Sequence, residues 1–315
     1  MNLEKKDKSI AILGLGGVGG FLGAKLLSGD RPAGVEISFV ARRKTLEFLQ
    51  EKGLEFESGE QKISIHPDRI QESGNTSVPF DVVILATKAP GLVTAVQENQ
   101  GLFSDKTLVI PLQNMVDAAS RIRSFVKGAE VLDACIYLIS NVVRPGRVKH
   151  LGGPGKIVAG LPLQNDYQWF FSLLEDSGVP VKLTPDIQLH LWRKFLFISS
   201  LGCLSAAFGV SFGQVKSSPQ LIAEWRKLMQ ELVALARADG VGLTDEDLEV
   251  TLSLLSNFPY GSKSSFQLDV EQGNEGEKAI LLDEVIEKSW QVGLRAVNYQ
   301  SVGELIEAKI QEYGK

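Results

Sequence analysis

Short apolar runs, separated by glycine, proline and polar clusters, dominate the first 184 residues. Residues 9–13 (SIAIL) form a continuous apolar run that reads as a buried parallel strand. Residues 18–27 follow with helical character, and 35–40 (VEISFV) is a second β-rich run. Residues 45–52 predict a short helix that stops at Gly53. Segments 54–56 and 63–66 have the spacing of a hairpin. Residues 81–87 (DVVILAT) and 108–112 (LVIPL) read as two more strands, with a helix starting over 92–97. Further β candidates fall at 131–139, 148–151, 157–161 and 179–183, around a helix-like stretch at 166–176.

The pattern changes after Thr184-Pro185. The remainder predicts helices over 186–209, 220–239, 245–257 and 278–292, with no convincing strand. Alternating strands and helices followed by helices alone imply two domains, 1–184 and 185–315. The expected fold is α/β: an N-terminal Rossmann-type, doubly wound parallel sheet, then an all-helical C-terminal domain that completes the active site. No internal repeat or low-complexity segment interrupts this division.

Composition narrows the function classes. Of the 315 residues, 44% are hydrophobic and 23% charged, enough for a sizeable core. A net charge of -5 argues against nucleic-acid binding, since no excess of Lys and Arg exists to neutralise phosphates. Cys135 and Cys203 lie far apart, without metal-ligand spacing. Their spacing leaves a disulfide open, but a reduced, cytoplasmic protein with two buried thiols is the simpler reading. His66, His150 and His190 have no partner spacing that suggests a metal or a triad, so no metal is expected. Two stretches imitate membrane signals. Lys5, Lys6 and Lys8 precede an apolar run, but its glycines suit a strand and turn better than a leader. Residues 195–212 carry no charge, yet four serines and two glycines dilute them, so a buried helix is expected and no membrane.

The sharpest motif is Gly14-Leu15-Gly16-Gly17-Val18-Gly19, placed after a strand, at the head of a helix and before a second strand. Gly14 permits the tight turn, Gly16 lets backbone approach a pyrophosphate, and Gly19 lets helix pack on strand. The helix N-terminus offers N–H groups and a positive dipole end to phosphates. At the end of the second strand, an NAD site usually places an acid for the ribose 2′-hydroxyl. This chain has Ala41-Arg42-Arg43-Lys44. A guanidinium bonds a 2′-phosphate with paired donors, so Arg42, assisted by Arg43 or Lys44, points to NADP. Lys88, after the third strand of the alternating pattern, points toward the dinucleotide edge; standing alone it would read as solvated.

The ordered set of motifs resembles the ketopantoate reductase (2-dehydropantoate 2-reductase) family over nearly the whole chain. The set comprises IAILGLGGVGG, FVARR, the TKA around Lys88, Gln113-Asn114, the HLWRKF run from His190 to Phe195, and the KSSFQLD run from Lys263 to Asp269. The resemblance implies reduction of the ketone of a 2-keto acid with NADPH. It implies that Lys194 is the proton donor and that Glu277 engages the substrate's hydroxyl. It also implies that Asn114 and Ser265 are polar neighbours of substrate and nicotinamide, and that Lys88 lies near the cofactor. The chemistry asks for such groups, because hydride arriving at carbon builds negative charge on the ketone oxygen. Without this resemblance, Lys194 would read as a solvated helix-start lysine; at the head of an apolar helix, desolvation would lower its pKa.

Four positions depart from the family pattern. Ile198 and Gly202 stand where asparagines are usual, Met115 where Gly is common, and Gly276 where Thr usually precedes the acid. Missing amides remove hydrogen-bonding capacity from the substrate pocket. Three readings follow: ketopantoate reduction for pantothenate and coenzyme A supply, reduction of another branched or bulky 2-keto acid, or a non-catalytic dinucleotide-binding regulator. Lys194 and Glu277 argue against the last. The small-molecule substrate is the expected partner, and the long helical half offers a surface for a homodimer. The basic turn generates the first prediction. Arg42→Ala weakens NADPH binding by about tenfold to a hundredfold, the worth of one charge-assisted hydrogen bond, and leaves NADH binding nearly unchanged. Equal affinity of the unmodified protein for the two cofactors would refute this role.

Overall fold

A computed structural model describes residues 8–314. Lys5 and Lys6, which imitate a leader, lie outside the described residues. The first part of the chain runs β1 (Lys8–Leu13), α1 (Gly17–Ser28), β2 (Val35–Ala41), α2 (Arg43–Lys52), β3 (Leu54–Ser58), β4 (Gln61–Ile65), β5 (Arg69–Glu72) and β6 (Val82–Leu85). It continues through α3 (Leu92–Glu98), β7 (Leu108–Pro111), α4 (Ala118–Ile122), β8 (Glu130–Val131), β9 (Ala134–Arg144), β10 (Arg147–Ala159), α5 (Gln168–Asp176) and β11 (Val181–Leu183). The helical part holds α6 (Ile187–Phe208), α7 (Phe212–Ser217), α8 (Pro219–Ala238), α9 (Asp245–Ser253), α10 (Ser265–Glu271), α11 (Glu284–Gln291) and α12 (Val297–Tyr313). The described residues divide into two compact units. One holds the chain up to Gln113 together with Asp117–Ile187, and the other holds Asn114–Val116 with Gln188 onward.

In the first unit, six strands pair in the order β5-β2-β1-β6-β7-β8, every pair parallel. Numbered within this sheet alone, the order is 3-2-1-4-5-6, the dinucleotide-binding arrangement, and the chain reverses direction of travel beside β1. The continuous apolar runs anticipated for β1, β6 and β7 follow from burial on both faces; Ile10, Ile12, Val82, Ile84 and Ile110 are all buried.

The sequence reading did not anticipate a second sheet. It runs β11-β10-β3-β4, with β9 paired antiparallel to β10. Residues 148–151 and 157–161, expected as separate strands, are parts of the single strand β10, which passes through Gly152, Gly153 and Gly155 at positive φ. Its pairing with β9 shifts register across this stretch, which bends the ribbon. Helix α1 packs against both sheets.

In the second unit, α6 is the one helix among the described residues long and apolar enough to cross a membrane, and 72% of its apolar window is buried inside the protein. Serines that dilute its hydropathy serve as internal hydrogen-bond partners. Trp225 of α8 donates through Nε1 to Ser200 Oγ at 2.7 Å, and Ser200 in turn donates to the Leu196 carbonyl. Phe197, Phe212, Trp225 and Phe258 cluster around the same helix. The sequence reading missed α10 and α12. Glu231 of α8 caps α12, accepting from the backbone N–H of Asn298 at 2.9 Å and of Tyr299 at 3.1 Å. A carboxylate at a helix N-terminus satisfies free donors and meets the positive dipole end. Cys135 and Cys203 are both buried, and neither is in a disulfide.

Helix α9 is tied to α6 through Asp247. Its carboxylate accepts from Arg193 Nε at 2.7 Å and from the Thr244 backbone N–H at 2.8 Å. Burial opposes its ionisation, but the Thr244 and Arg193 hydrogen bonds outweigh burial and hold its pKa below the usual aspartate value. A depressed carboxylate pKa contributes stability above the unfolded-state value, near 4, that disappears as pH falls through the folded-state value. Asp247→Asn should therefore cost about 1–2 kcal/mol at pH 7, discounted because Arg193 is half-exposed. The difference between variant and unmodified protein should shrink below pH 4. Chemical denaturation at pH 7 and pH 3.5 measures both; an unchanged difference would reject the assignment.

Candidate functional site

The glycine turn follows β1, and each glycine meets a different constraint. Gly14 has φ +97°, a region closed to most side chains, and a β-carbon there would lie 2.8 Å from the Thr87 amide nitrogen. A β-carbon on Gly19 would lie 1.9 Å from the Gly14 carbonyl oxygen. Gly16, which caps α1, is different: it has an ordinary φ of −77°, and a β-carbon would come no closer than 4.0 Å to any protein atom. The protein's own packing does not require glycine at 16. A β-carbon would instead occupy open space at the head of α1, where N–H groups lack intrahelical partners and no side chain caps them. That is the cradle a pyrophosphate needs. Gly17 and Val18 begin the helix, and buried Leu15 anchors the turn from below.

The basic turn lies where the sequence placed it, immediately after β2. Arg42, Arg43 and Lys44 are exposed, and none of the three has an ion-pair partner among the described residues. Arg42 is extended, whereas Arg43 has φ +52°, an uncommon conformation for a side-chain-bearing residue. Outliers of this kind cluster at ligand sites. Lys88 is exposed and opens the single turn Ala89–Gly91, directly after the Ala86 and Thr87 backbone that closes over Gly14. Gln113, for which sequence reasoning found no role, clamps that segment. Its Nε2 donates to the Leu85 and Thr87 carbonyls, each at 3.1 Å, and its Oε1 is buried without a partner. The signal available was its place at the end of β7, next to Asn114.

The second unit brings three predicted residues together. Lys194 Nζ donates to Asn114 Oδ1 at 2.9 Å, and Asn114 Nδ2 donates to Glu277 Oε2 at 3.1 Å. All three are half-buried. The amide orientation follows from charge: turned over, it would aim N–H groups at an ammonium and an oxygen at a carboxylate. Lys194 lies on α6, and Glu277 just before the widened turn that leads into α11. Ser265 does not join them by a hydrogen bond. It is the exposed first residue of α10, while its neighbour Ser264 caps that helix by accepting from the Gln267 N–H at 3.0 Å.

The family departures now have physical descriptions. Ile198, one helical turn after Lys194, is half-buried. A β-carbon on Gly202 would meet only Phe266 and Ser264, at 3.8 Å, so space is left there. Gly276 has φ +56°, and a β-carbon would lie 2.5 Å from an Asp269 carboxylate oxygen, so the turn before Glu277 is built around glycine. Met115 is buried. Among the described residues, no cluster of His, Cys, Asp and Glu could hold a metal ion.

The strand order and the glycine turn together define a dinucleotide-binding, Rossmann-type architecture. Within that class, the chain belongs to the ketopantoate reductase family: "Ketopantoate reductase PanE/ApbA" matches residues 10–163 and its C-terminal counterpart matches 186–310. An uncharacterized oxidoreductase, YkpB of Bacillus subtilis, is 26% identical over 306 residues, covering 96% of this chain and 97% of that protein. A 2-dehydropantoate 2-reductase of Mesorhizobium japonicum is 27% identical over 74% of this chain and 77% of its own length. Among solved structures, D-mandelate dehydrogenase with NADH and anilino(oxo)acetate superimposes with a TM-score of 0.87 at 19% identity, covering 98% of this chain and all of that one. At that identity, the likeness is one of fold.

The two glycine constraints predict opposite outcomes for one substitution. Gly19→Ala forces a backbone clash and should lower thermal stability by several degrees, or prevent folding. Gly16→Ala should leave the melting temperature within about 2 °C, as expected for a change that strains nothing. Equal destabilisation by the two would contradict the distinction.

Proposed function

We propose that the protein reduces the ketone of a 2-keto acid with NADPH, and that 2-dehydropantoate (ketopantoate) is the first substrate to test. The observation that carries this reading is the hydrogen-bonded run Lys194–Asn114–Glu277. Family membership and the 2-dehydropantoate 2-reductase relative support the substrate class. On ketopantoate, the product would be pantoate, feeding pantothenate and coenzyme A synthesis.

When bound, a nicotinamide dinucleotide would supply the hydride for the carbonyl carbon. The glycine turn and the α1 N-terminus would hold its pyrophosphate, and Arg42, with Arg43, the 2′-phosphate. Lys88 and Asn114 would lie along the same cofactor. The chain's other groups serve the keto acid. Lys194 presents an ammonium that stabilises negative charge on the ketone oxygen and then gives up a proton to it. Asn114 holds that ammonium by its oxygen end. Glu277 accepts a hydrogen bond from a substrate hydroxyl, and Ser265 would add a polar contact. Reduction thus consumes one hydride and one proton, and yields the 2-hydroxy acid.

A second reading shares the chemistry and changes the substrate. Ile198 and Gly202 replace amides with an apolar side chain and empty space, which favours a 2-keto acid with an apolar substituent. The D-mandelate dehydrogenase neighbour shows this fold in complex with NADH and a phenyl-bearing keto-acid analogue. A turnover panel of ketopantoate, branched aliphatic and aryl 2-keto acids, run with NADPH and with NADH, separates the readings.

On the best substrate of that panel, Lys194→Ala should lower kcat by about 10²–10⁴-fold and leave NADPH binding nearly intact. The alkaline fall of kcat, where the lysine loses its proton, should vanish in that variant. Glu277→Ala should raise KM roughly tenfold together with a fall in kcat, because an orienting hydrogen bond is lost. Near-normal kcat in Lys194→Ala would remove the lysine from the proton-donor role.

A further inference from the structure

Between Glu277 and α11, the helix widens into a π-helical turn, Ala279–Asp283. Such turns are rare and frequently adjoin functional sites. Here the turn starts on Glu277 itself, whose carbonyl accepts from the N–H groups of both Ile280 at 3.0 Å and Leu281 at 2.9 Å. The Leu281 carbonyl is taken up from outside its own helix. Ser199 Oγ donates to it at 2.7 Å, and Cys203 Sγ at 3.4 Å. Both residues belong to α6, the helix that carries Lys194.

The direction of the remaining bond follows by elimination. Ser199 Oγ also lies 2.7 Å from the Tyr299 hydroxyl. A carbonyl can only accept, so the single serine proton goes to Leu281, and Tyr299 must donate to Ser199. Ser199, Cys203 and Tyr299 are each fully buried. A chain of donors therefore runs from Tyr299 on α12, through Ser199 on α6, to Leu281, and the Leu281 N–H continues it to the backbone of Glu277. A second tie holds the same turn. Lys278, with a side chain only 13% exposed, bridges Asp283 at 2.9 Å and Glu307 of α12 at 3.0 Å. Burial disfavours its charge, but the hydrogen bonds and charges of Asp283 and Glu307 outweigh burial and raise its pKa above the ordinary lysine value.

We infer that Ser199 and Tyr299 are positioning residues that hold Glu277 on Asn114 by fixing the π-helical turn. This inference rests on the proposed role of Glu277 toward the keto acid. Neither residue touches substrate in this role; they act through the backbone of residues 277–281. The widened turn has no sequence motif, and the apolar run of α6 conceals the two donors that grip it.

Three variants test it, read by amide hydrogen exchange, KM and NADPH affinity. Tyr299→Phe removes the outer link and leaves Ser199 bonded to Leu281. Ser199→Ala removes the grip itself, and Cys203→Ser added to it returns a hydroxyl donor near the same carbonyl. The expected result is amide hydrogen exchange over residues 277–283 at least tenfold faster in Ser199→Ala than in the unmodified protein, less so in Tyr299→Phe, with α8 unaffected. KM for the best 2-keto acid should rise about fivefold to tenfold in Ser199→Ala, well below its melting temperature. NADPH affinity should stay unchanged, and Cys203→Ser should reverse much of the rise. Unchanged exchange over 277–283 in Ser199→Ala overturns the inference, as does exchange raised equally throughout the second unit. If the unmodified protein reduces no 2-keto acid, the reductase reading fails separately, and exchange alone decides whether the relay holds the turn.

Discussion

One neutral amide carries the site. Asn114 can satisfy a cation and an anion at the same time because its two ends have opposite polarity. Its oxygen receives the Lys194 ammonium and its nitrogen serves the Glu277 carboxylate. The three residues are far apart in sequence, so their meeting depends on how α6 and the turn before α11 pack. The amide also orders the charges. The ammonium meets the carbonyl end of the amide and the carboxylate its N–H end, so the amide fixes where each of them sits. Asn114 belongs with the helical unit, although the strand and the glutamine just before it belong to the sheet unit. The short segment Asn114–Val116 is therefore the point where the chain commits a residue from the loop after β7 to the helical side.

The dinucleotide half was the more legible one. Its strands are continuous apolar runs because both faces are covered, and its turn is written in glycines whose spacing has a steric cause. Gly14 and Gly19 are required by contacts within the protein, and these would show in any sequence of this fold. Gly16 carries different information. No protein atom demands it, so its presence points to something that approaches the backbone from outside. The second sheet was legible only in pieces: its β3–β4 hairpin was expected, but its assembly with β9, β10 and β11 was not. Strands β3, β4 and the outer half of β9 are only partly buried, and charged rows such as Glu55, Glu57, Arg147 and Lys149 occupy much of their surface. Without strict alternation, a ribbon like β9–β10 reads as fragments.

In the helical half, legibility depended on how much of each helix is buried. Helix α6 was plain because nearly every face is covered, but its long apolar run also hid what its serines do. Ser199 and Ser200 look like interruptions in sequence, and in the fold they are the partners of Leu281, Tyr299 and Trp225. Helix α12 shows apolar residues at 299, 302 and 306, a correct helical spacing, yet most of its surface is polar and its N-terminal cap comes from Glu231, 67 residues earlier. No local reading finds a cap at that distance. Helix α10 did carry a local sign, since Ser264 and Gln267 have the spacing of a capping pair. The neighbouring Ser265 drew attention as a candidate contact, while the structural duty falls to Ser264.

The departures from the family pattern separate chemistry from recognition. Lys194, Asn114 and Glu277, the residues proposed as donor, anchor and orienting acid, are all present and joined by hydrogen bonds. The changed positions lie elsewhere: Ile198 and Gly202 along α6, Gly276 in the turn that precedes the acid. Gly276 is no simple loss of a hydroxyl. At φ +56° and in contact with Asp269, it cannot take a side chain without moving the turn, so the path into Glu277 is built differently from one that carries threonine. The tie between α6 and the Leu281 carbonyl then matters more, because the turn on the other side of Glu277 is what remains to hold the carboxylate in place. On the proposed function, a pocket that has exchanged two amides for an isoleucine and open space, yet keeps its acid held from the backbone, would recognise the keto-acid head by charge and the rest of the substrate by shape.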